Sequence, residues 1–413
     1  MSSQVIAGSS CAEKTGASGR LRVLLFDLLP TVPYYTGHLS AALSGVENID
    51  VTLGAATYPH DHSFFRRMGV QHDWGLLDVA YRVRFVPLRR MLKLLEYLLN
   101  MVALALRFVW SRPDVMHVQF VPLAEHRLPF ELWFLKLAHS LGIKLVYTVH
   151  NVLPHESSIQ QAAVYRKLYR LVDQFVCHDP TARDRLVNEF EIDPTRIAVI
   201  PHGPLFTAER SNSASRQTLR SSGHCVVLCQ GIMRPYKGIP FLLRAWKAAC
   251  DAGLQASLWI VGTGDKRLLR ELVEDAAGLG IASSVHFDFR FVSLEELAGY
   301  HSAADILVYP YTQITGSGAL MTAVGYEKAL IASDLPAFRH ILHHEQDALL
   351  VPPGDLAGWS AALLRLAEDP ILRARLARGL EGCMAVTPGW SQIASQTSRV
   401  YRQLVPLPVF GKS

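Results

Sequence analysis

The chain has 413 residues, half of them hydrophobic, and carries a formal net charge of +5 at pH 7. Its length predicts two or three domains with sizeable cores. The small positive charge argues against a dedicated nucleic-acid-binding protein. Its six cysteines form no CxxC pair and no metal-ligand spacing, which favours a reduced, cytoplasmic setting.

Residues 1–20 are rich in serine, glycine and alanine, and we expect them to form a flexible tail. An apolar strand follows at Leu21–Leu28, and the loop after it leads into a helix that we expect to begin past Gly37. This turn contains one glycine and lacks the GxGxxG fingerprint of dinucleotide-binding domains. The missing fingerprint disfavours a dehydrogenase.

Short apolar runs predict strands at Val51–Gly54 and Val83–Val86. The second run lies in a basic segment, 62–113, whose nine basic and three acidic residues give a local balance of +6. Tyr97–Val109, the most apolar stretch, falls short of the ~20 residues that a membrane span needs. The segment predicts either peripheral contact with an anionic membrane or a solvated basic face beside an ordinary core helix.

Two further predicted strands, Val115–Phe120 and Lys144–Val149, each end at polar groups. In an open α/β sheet, ligands gather beyond the carboxyl ends of the strands. Gln119, His150 and Asn151 are therefore expected at the mouth of a crevice. His150 could be a base, a hydrogen-bond donor to a sugar hydroxyl, or a structural residue bonded to a loop carbonyl.

A polar, serine-rich segment at 208–223 is the best candidate linker, and a second series of strand–helix units begins at residue 224. Two such series predict an α/β protein with two doubly wound, Rossmann-like domains that face each other. We expect these domains at 21–207 and 224–387, and a last helix at about 388–405 that packs back on the first. The histidine pairs at 60/62 and 343/344 lack a matching acidic set, so no metal site is predicted.

The stretch Tyr309–Asp334 reads as a strand, a glycine-bearing loop, a helix and a second strand. Its helix begins at Thr315, Gly316, Ser317 and Gly318, where free backbone N–H groups suit an anion such as a diphosphate. The alternative interpretation is that Ser317 simply caps the helix.

The second half resembles the nucleotide-sugar-binding domain of the retaining GT-B glycosyltransferases of group 1. Loose counterparts in the first half (RVLLFD, HVQF, YTVHN and IPHG) extend the resemblance over nearly the whole chain. The resemblance is carried by five pieces in order: GIMRPYKGI at 231–239, WIVGTGD at 259–265, AADILVYPY at 303–311, a stretch that ends in KALIASD, and ALLVPPGD at 348–355.

The resemblance implies a GT-B fold and transfer of a hexosyl group from a nucleotide-diphosphate sugar to an acceptor, with retention and without a metal or other cofactor. It places His150 near the reacting sugar, with Gly37, Gln119 and Asn151 on the acceptor side. The implied donor-binding residues are Arg234, Lys237, Gly262, Gly264, Thr315, Gly316, Ser317, Gly318 and Thr322.

One departure from the family is marked. The family usually carries two glutamates eight positions apart, and here Ile314 and Thr322 stand at those positions. Hydroxyls of Thr315 and Ser317 are expected to contact the sugar or phosphate instead, although they carry no charge. The departure keeps open a non-catalytic partner subunit or sugar-nucleotide sensor and, with less support, a nucleotide-sugar epimerase. For an enzyme, family habit favours an acceptor in surface polysaccharide or glycolipid assembly, at the inner face of the membrane.

Overall fold

The computed structural model describes residues 19–58, 60–70, 76–153, 159–204, 225–314, 320, 323–386 and 388–406. The expected linker at 208–223 lies outside these ranges, as does the expected tail apart from its last two residues. The domain limits drawn from the sequence therefore stay predictions.

The first half forms a parallel six-stranded sheet with helices on both faces, in the order β2-β1-β3-β4-β5-β6. Near-continuous apolar runs form the strands because both faces of a parallel sheet are buried. The elements are β1 (Leu21–Phe26), α1 (Pro33–Ser44), β2 (Ile49–Gly54), α2 (Phe64–Arg67), α3 (Val86–Arg107), β3 (Val115–Val118), α4 (Pro122–Glu125), α5 (Phe130–Ser140), β4 (Lys144–Val149), α6 (Ile159–Leu171), β5 (Gln174–Cys177), α7 (Pro180–Phe190) and β6 (Ile197–Val199).

The second half repeats this architecture in a second parallel sheet, in the order β12-β11-β10-β7-β8-β9. Two such sheets confirm the predicted α/β class and the GT-B architecture. The elements are β7 (Cys225–Gln230), α8 (Ile239–Asp251), β8 (Ala256–Val261), α9 (Lys266–Gly278), β9 (Val285–Asp288), α10 (Leu294–Ala303), β10 (Ile306–Tyr309), β11 (Ala329–Ser333), α11 (Pro336–Arg339), β12 (Leu349–Val351), α12 (Leu356–Glu368) and α13 (Pro370–Val386).

The chain then returns to the first half through α14 (Trp390–Leu404), which packs on α1. Ile393 and Tyr401 of this helix are fully buried in the apolar cluster of the first sheet. The Tyr401 hydroxyl lies 2.7 Å from Nδ1 of His117, whose Nε2 lies 2.7 Å from Oγ1 of Thr148. His117 is therefore a core residue that ties the last helix to the centre of the sheet.

Two predicted elements were wrong. Val83–Val86 is not a strand, because α3 already begins at Val86 with Pro87 in its first turn, where proline's missing N–H does no harm. The first helix does not begin past Gly37. It starts at Pro33, in a first turn where proline's missing N–H is likewise tolerated, and Gly37 lies inside it. Within the described ranges, no helix has both the length and the apolar character needed to cross a bilayer.

Candidate functional site

The strand order of each sheet reverses at one point, and such switch points open a crevice at the carboxyl ends of the strands. In the first sheet the reversal lies between β1 and β3, and in the second between β7 and β10. The two halves touch through Thr181 Oγ1 and His340 Nε2, 3.1 Å apart, and through the stacked rings of His60 and Phe291. These contacts join the two halves of the chain.

Lys237 lies at the switch point of the second sheet and is 5% exposed. Its ammonium donates to the backbone oxygen of Gln230 at 3.2 Å and sits 5.2 Å from the centre of the Tyr311 ring. In the part of the chain that the structure describes, no carboxylate is within ion-pair distance of it. Burial lowers the pKa of Lys237. A buried cation without a carboxylate partner is costly unless an anion binds there.

Arg234 precedes Lys237 by three residues and is exposed. Burial raises the pKa of Glu125 in α4, and the positive charges of His126 and Arg234 oppose that rise. Arg234 is thus close enough to the first half to act on a carboxyl group there. The second expected phosphate-binding cation therefore lies near the first half of the chain.

Gly262 and Gly264 lie in the loop after β8, where the first has a φ of +138°. A Cβ on Gly262 would lie 2.0 Å from the carbonyl oxygen of Gly231, and one on Gly264 would lie 2.9 Å from Met233. Because they lack side chains, these two glycines let the loop after β8 pack closely against the loop after β7. Their contact with a nucleotide stays a prediction.

The expected diphosphate-binding helix start lies outside the described residues, and so do Thr315, Gly316, Ser317, Gly318 and Thr322. Ile314, the last described residue before the gap, is half-buried. It packs against the apolar cluster of the second sheet. The position that usually carries a glutamate in the family is therefore part of an apolar surface here.

On the acceptor side, Gln119 and His150 follow β3 and β4 and lie together as expected, with His150 Nε2 3.4 Å from the Gln119 side chain. Asn151 follows directly and is half-buried. Gly37 lies in α1, where a Cβ would come within 2.8 Å of Sδ of Met68. The missing side chain of Gly37 thus makes room for the Phe64–Met68 segment, and its acceptor contact stays a prediction.

Sequence reasoning missed three groups at the same edge. His178 and His202 follow β5 and β6, and their rings lie 5.1 and 5.0 Å from that of Tyr35. Asp27 directly follows β1 and accepts hydrogen bonds from the Thr36 hydroxyl and the Thr31 amide. Burial raises the pKa of Asp27 to about 7. Each of these residues comes shortly after a strand, the signal that drew attention to His150.

A further cluster, away from the strand ends just described, joins His343, Asp347 and Cys383, whose ligand atoms lie within 4.8 Å of one another. His343 Nδ1 is 3.0 Å and Cys383 Sγ is 3.4 Å from Oδ2 of Asp347. Imidazole, carboxylate and thiol are ligands that a zinc ion accepts, so these residues could hold one. Their mutual hydrogen bonds already satisfy the buried carboxylate, whose Oδ1 accepts from the His343 amide.

Comparison with known proteins agrees with this geometry. Residues 224–369 match the family model "Glycosyl transferases group 1", and residues 32–203 match "Glycosyltransferase Family 4". The phosphatidyl-myo-inositol mannosyltransferase of Mycobacterium leprae is 34% identical over 171 residues, which cover 40% of this chain and 43% of that protein. The D-inositol 3-phosphate glycosyltransferase of Salinispora arenicola is 28% identical over 294 residues, 64% of each chain. These alignments span less than two thirds of either relative.

Among solved structures, Anabaena Alr3699/HepE in complex with UDP and glucose superposes with a TM-score of 0.71 at 16% identity. The superposition covers 93% of this chain and 100% of that one. At this level of identity, the likeness shows the fold.

Proposed function

The chain belongs to the group 1 glycosyltransferases, and on that premise we propose that it transfers a hexosyl group from a nucleotide-diphosphate sugar to an acceptor hydroxyl with retention. The observation that carries this proposal is the buried ammonium of Lys237 at the switch point of the second sheet, which has no described carboxylate beside it. A diphosphate would supply the missing negative charge.

In the proposed reaction, the bond between the sugar C1 and the phosphate oxygen breaks while the acceptor oxygen bonds to C1 on the same face. Negative charge grows on the departing phosphate, where Lys237 and Arg234 stabilise it. That phosphate takes the proton of the acceptor hydroxyl. The route needs no carboxylate base, so it agrees with the apolar surroundings of Ile314. We propose that it also needs no metal.

A thermal-shift panel with UDP, GDP, ADP and NAD, each with magnesium or with EDTA, tests the donor class. Ligand at ~100 times its dissociation constant adds roughly 2.7 kcal/mol of stability. We expect one nucleoside diphosphate to stabilise the protein in both conditions, and its sugar conjugates to be consumed when acceptor is present. Stabilisation without turnover would favour a sensor or partner subunit, and an epimer formed without acceptor would favour an epimerase. No stabilisation by any nucleotide would contradict the donor assignment.

We further propose that the acceptor is lipid-linked and that the enzyme reaches it at an anionic membrane surface through α3. One face of this 22-residue helix is buried against the first half through Tyr97, Met101 and Leu104. The opposite face is apolar but exposed, as is Trp133 of the adjacent α5. The exposed large apolar residues on and beside α3 are Phe85, Val86, Leu88, Met91, Leu94, Leu95, Leu99, Val102, Leu106, Val109 and Trp110.

A surface of this kind suits the boundary between lipid headgroups and acyl chains. Exposed arginines at positions 84, 90 and 107 accompany it and would meet anionic headgroups. Burying four of its apolar side chains at about 1.5 kcal/mol each would contribute about 6 kcal/mol. The patch and its charges together therefore favour a bilayer over a purely apolar protein groove.

Flotation with vesicles tests this surface. We expect the protein to float with vesicles that contain phosphatidylglycerol, less so at high salt, and poorly with phosphatidylcholine alone. Met91→Asp combined with Val102→Asp should abolish flotation, because each change puts a charge into the apolar face. The control is Ile371→Asp, at a 78% exposed apolar position of the second half. Equal flotation of wild type and double variant would overturn the proposal.

A further inference from the structure

Three histidines that follow neighbouring strands form a connected set at the carboxyl edge of the first sheet. His178 lies between the other two, with ring centres 5.2 Å from His150 and 5.0 Å from His202. All three rings contact the buried ring of Tyr35. Because the rings are held by packing on several sides, their nitrogens have fixed neighbours.

Those neighbours determine which ring nitrogens carry hydrogen. His178 Nδ1 lies 3.1 Å from the carbonyl oxygen of Ile200, which can only accept, so this nitrogen must carry the hydrogen. In a neutral ring the other nitrogen, Nε2, is then an acceptor. It lies 3.3 Å from Nδ1 of His150, so His150 must donate from Nδ1. The lone pair of His150 is therefore on Nε2.

The opposite arrangement would require a charged His178. Suppose that Nε2 of His178 carried hydrogen and donated to His150. Nδ1 of His178 would then either face the Ile200 oxygen as a second acceptor or carry hydrogen as well, and the second case gives the ring a positive charge. Burial opposes that charge and lowers the pKa of His178 to about 3. It likewise lowers the pKa of His150, and the neighbouring histidines add to that effect. Both rings are thus neutral near pH 7.

The side chain of Gln119 gives an independent indication. Its amide nitrogen is buried without a hydrogen-bond partner, while its oxygen lies 3.4 Å from Nε2 of His150. Exchanging the two amide atoms, which have nearly the same shape, lets the nitrogen donate to Nε2. The exchange leaves an oxygen rather than an N–H group unpaired, which is the less costly outcome. An accepting Nε2 on His150 therefore also suits Gln119.

We infer that His178 is a positioning residue that holds His150 in the form with hydrogen on Nδ1, so that Nε2 can accept a hydrogen bond, from Gln119 in the ligand-free protein and from a substrate hydroxyl that takes the place of Gln119. The inference rests on the proposed function in placing a sugar or acceptor hydroxyl near His150. It selects among the roles that sequence left open for His150. The ring orients a hydroxyl as an acceptor and does not donate to one through Nε2.

Imidazole nitrogen NMR on the full chain with ¹⁵N-labelled histidine tests this directly, with His150→Gln used to assign the signals. We expect an unprotonated Nε2 and a protonated Nδ1 on His150 in the wild-type protein. His178→Leu removes the acceptor and should convert His150 wholly or partly to the other form. His178→Gln places an amide oxygen near the former Nε2 and should restore the wild-type pattern. His202→Gln is the control, because His202 contacts Tyr35 but has no hydrogen bond to His150 among those described.

Hydrogen on Nε2 of His150 in the wild-type protein, or an unchanged pattern in His178→Leu, would overturn the inference. Kinetics add a second measurement: His178→Leu should lower kcat about tenfold with little change in the donor KM, and His178→Gln should recover most of it. The two proposals fail in different ways. If the NMR pattern holds but no sugar is transferred, the hydrogen-bond chain stands and the proposed function does not.

Discussion

Replacing Lys237 by methionine would separate a ligand-binding role from a structural one, because the two predict opposite effects on stability. In the ligand-free protein the ammonium is buried with one carbonyl and one aromatic ring as its described contacts. Removing it discards a poorly compensated charge, so we expect the melting temperature to stay the same or rise. Nucleoside diphosphate loses a charge-assisted hydrogen bond, worth about 1.5–3 kcal/mol, and should bind about 10- to 150-fold more weakly.

Isothermal titration calorimetry with the nucleoside diphosphate identified by the panel would measure the affinity, and differential scanning calorimetry the stability without ligand. The matched control is Lys247→Met on α8, since Lys247 is partly exposed and pairs with Asp251 in the same half. We expect the control to bind like the wild type. If Lys237→Met melts well below wild type and keeps its affinity, Lys237 is a structural residue and the reasoning fails.

Two other predictions follow from buried positions. Gly262→Ala should have a melting temperature well below that of Gly280→Ala. The Cβ added at position 262 would overlap the Gly231 oxygen, whereas position 280 faces open space. Equal losses in the two variants would refute this explanation. Asp27 has a pKa of about 7 when folded, above its unfolded value, so wild-type stability should fall as pH rises from 4 to 7. Asp27→Asn should flatten this fall in urea titrations at pH 5 and pH 8, and an unchanged slope would count against it.

The strands could be predicted from sequence because a parallel sheet buries both of its faces. A short apolar run between polar segments then has few alternatives, and β4 begins and ends at the predicted residues. The same rule failed at Val83–Val86, a run whose last residue begins an amphipathic helix instead. Local apolar content cannot separate these cases, because the choice depends on the long helical pattern that follows and on Pro87 in the first turn.

The candidate site could be predicted where a strand end or a family motif determines the position. Lys237 was found because the loop after β7 resembles a family motif that carries phosphate-binding cations. The contact of His178 with His150 depends on two strands that are adjacent in the sheet, and its consequence depends on a third residue, Ile200. Sequence spacing gives no hydrogen-bond direction. The rule that ligands gather at strand ends would still have singled out His178 had it been applied to β5.

One of the two missing glutamates, at position 314, and Lys237, which has no carboxylate partner among the described residues, are connected through one apolar cluster. Ile314 packs against the cluster that also contains Tyr311, the ring over which the Lys237 ammonium lies. A glutamate at position 314 would bring a negative charge into these surroundings, where burial leaves charges poorly screened. With isoleucine there, no carboxylate at that position would offset the proposed attraction of Lys237 for a diphosphate. Under the proposed function, this chain thus gives up a carboxylate contact with the sugar and keeps a stronger positive field at the phosphate, where negative charge would grow during transfer.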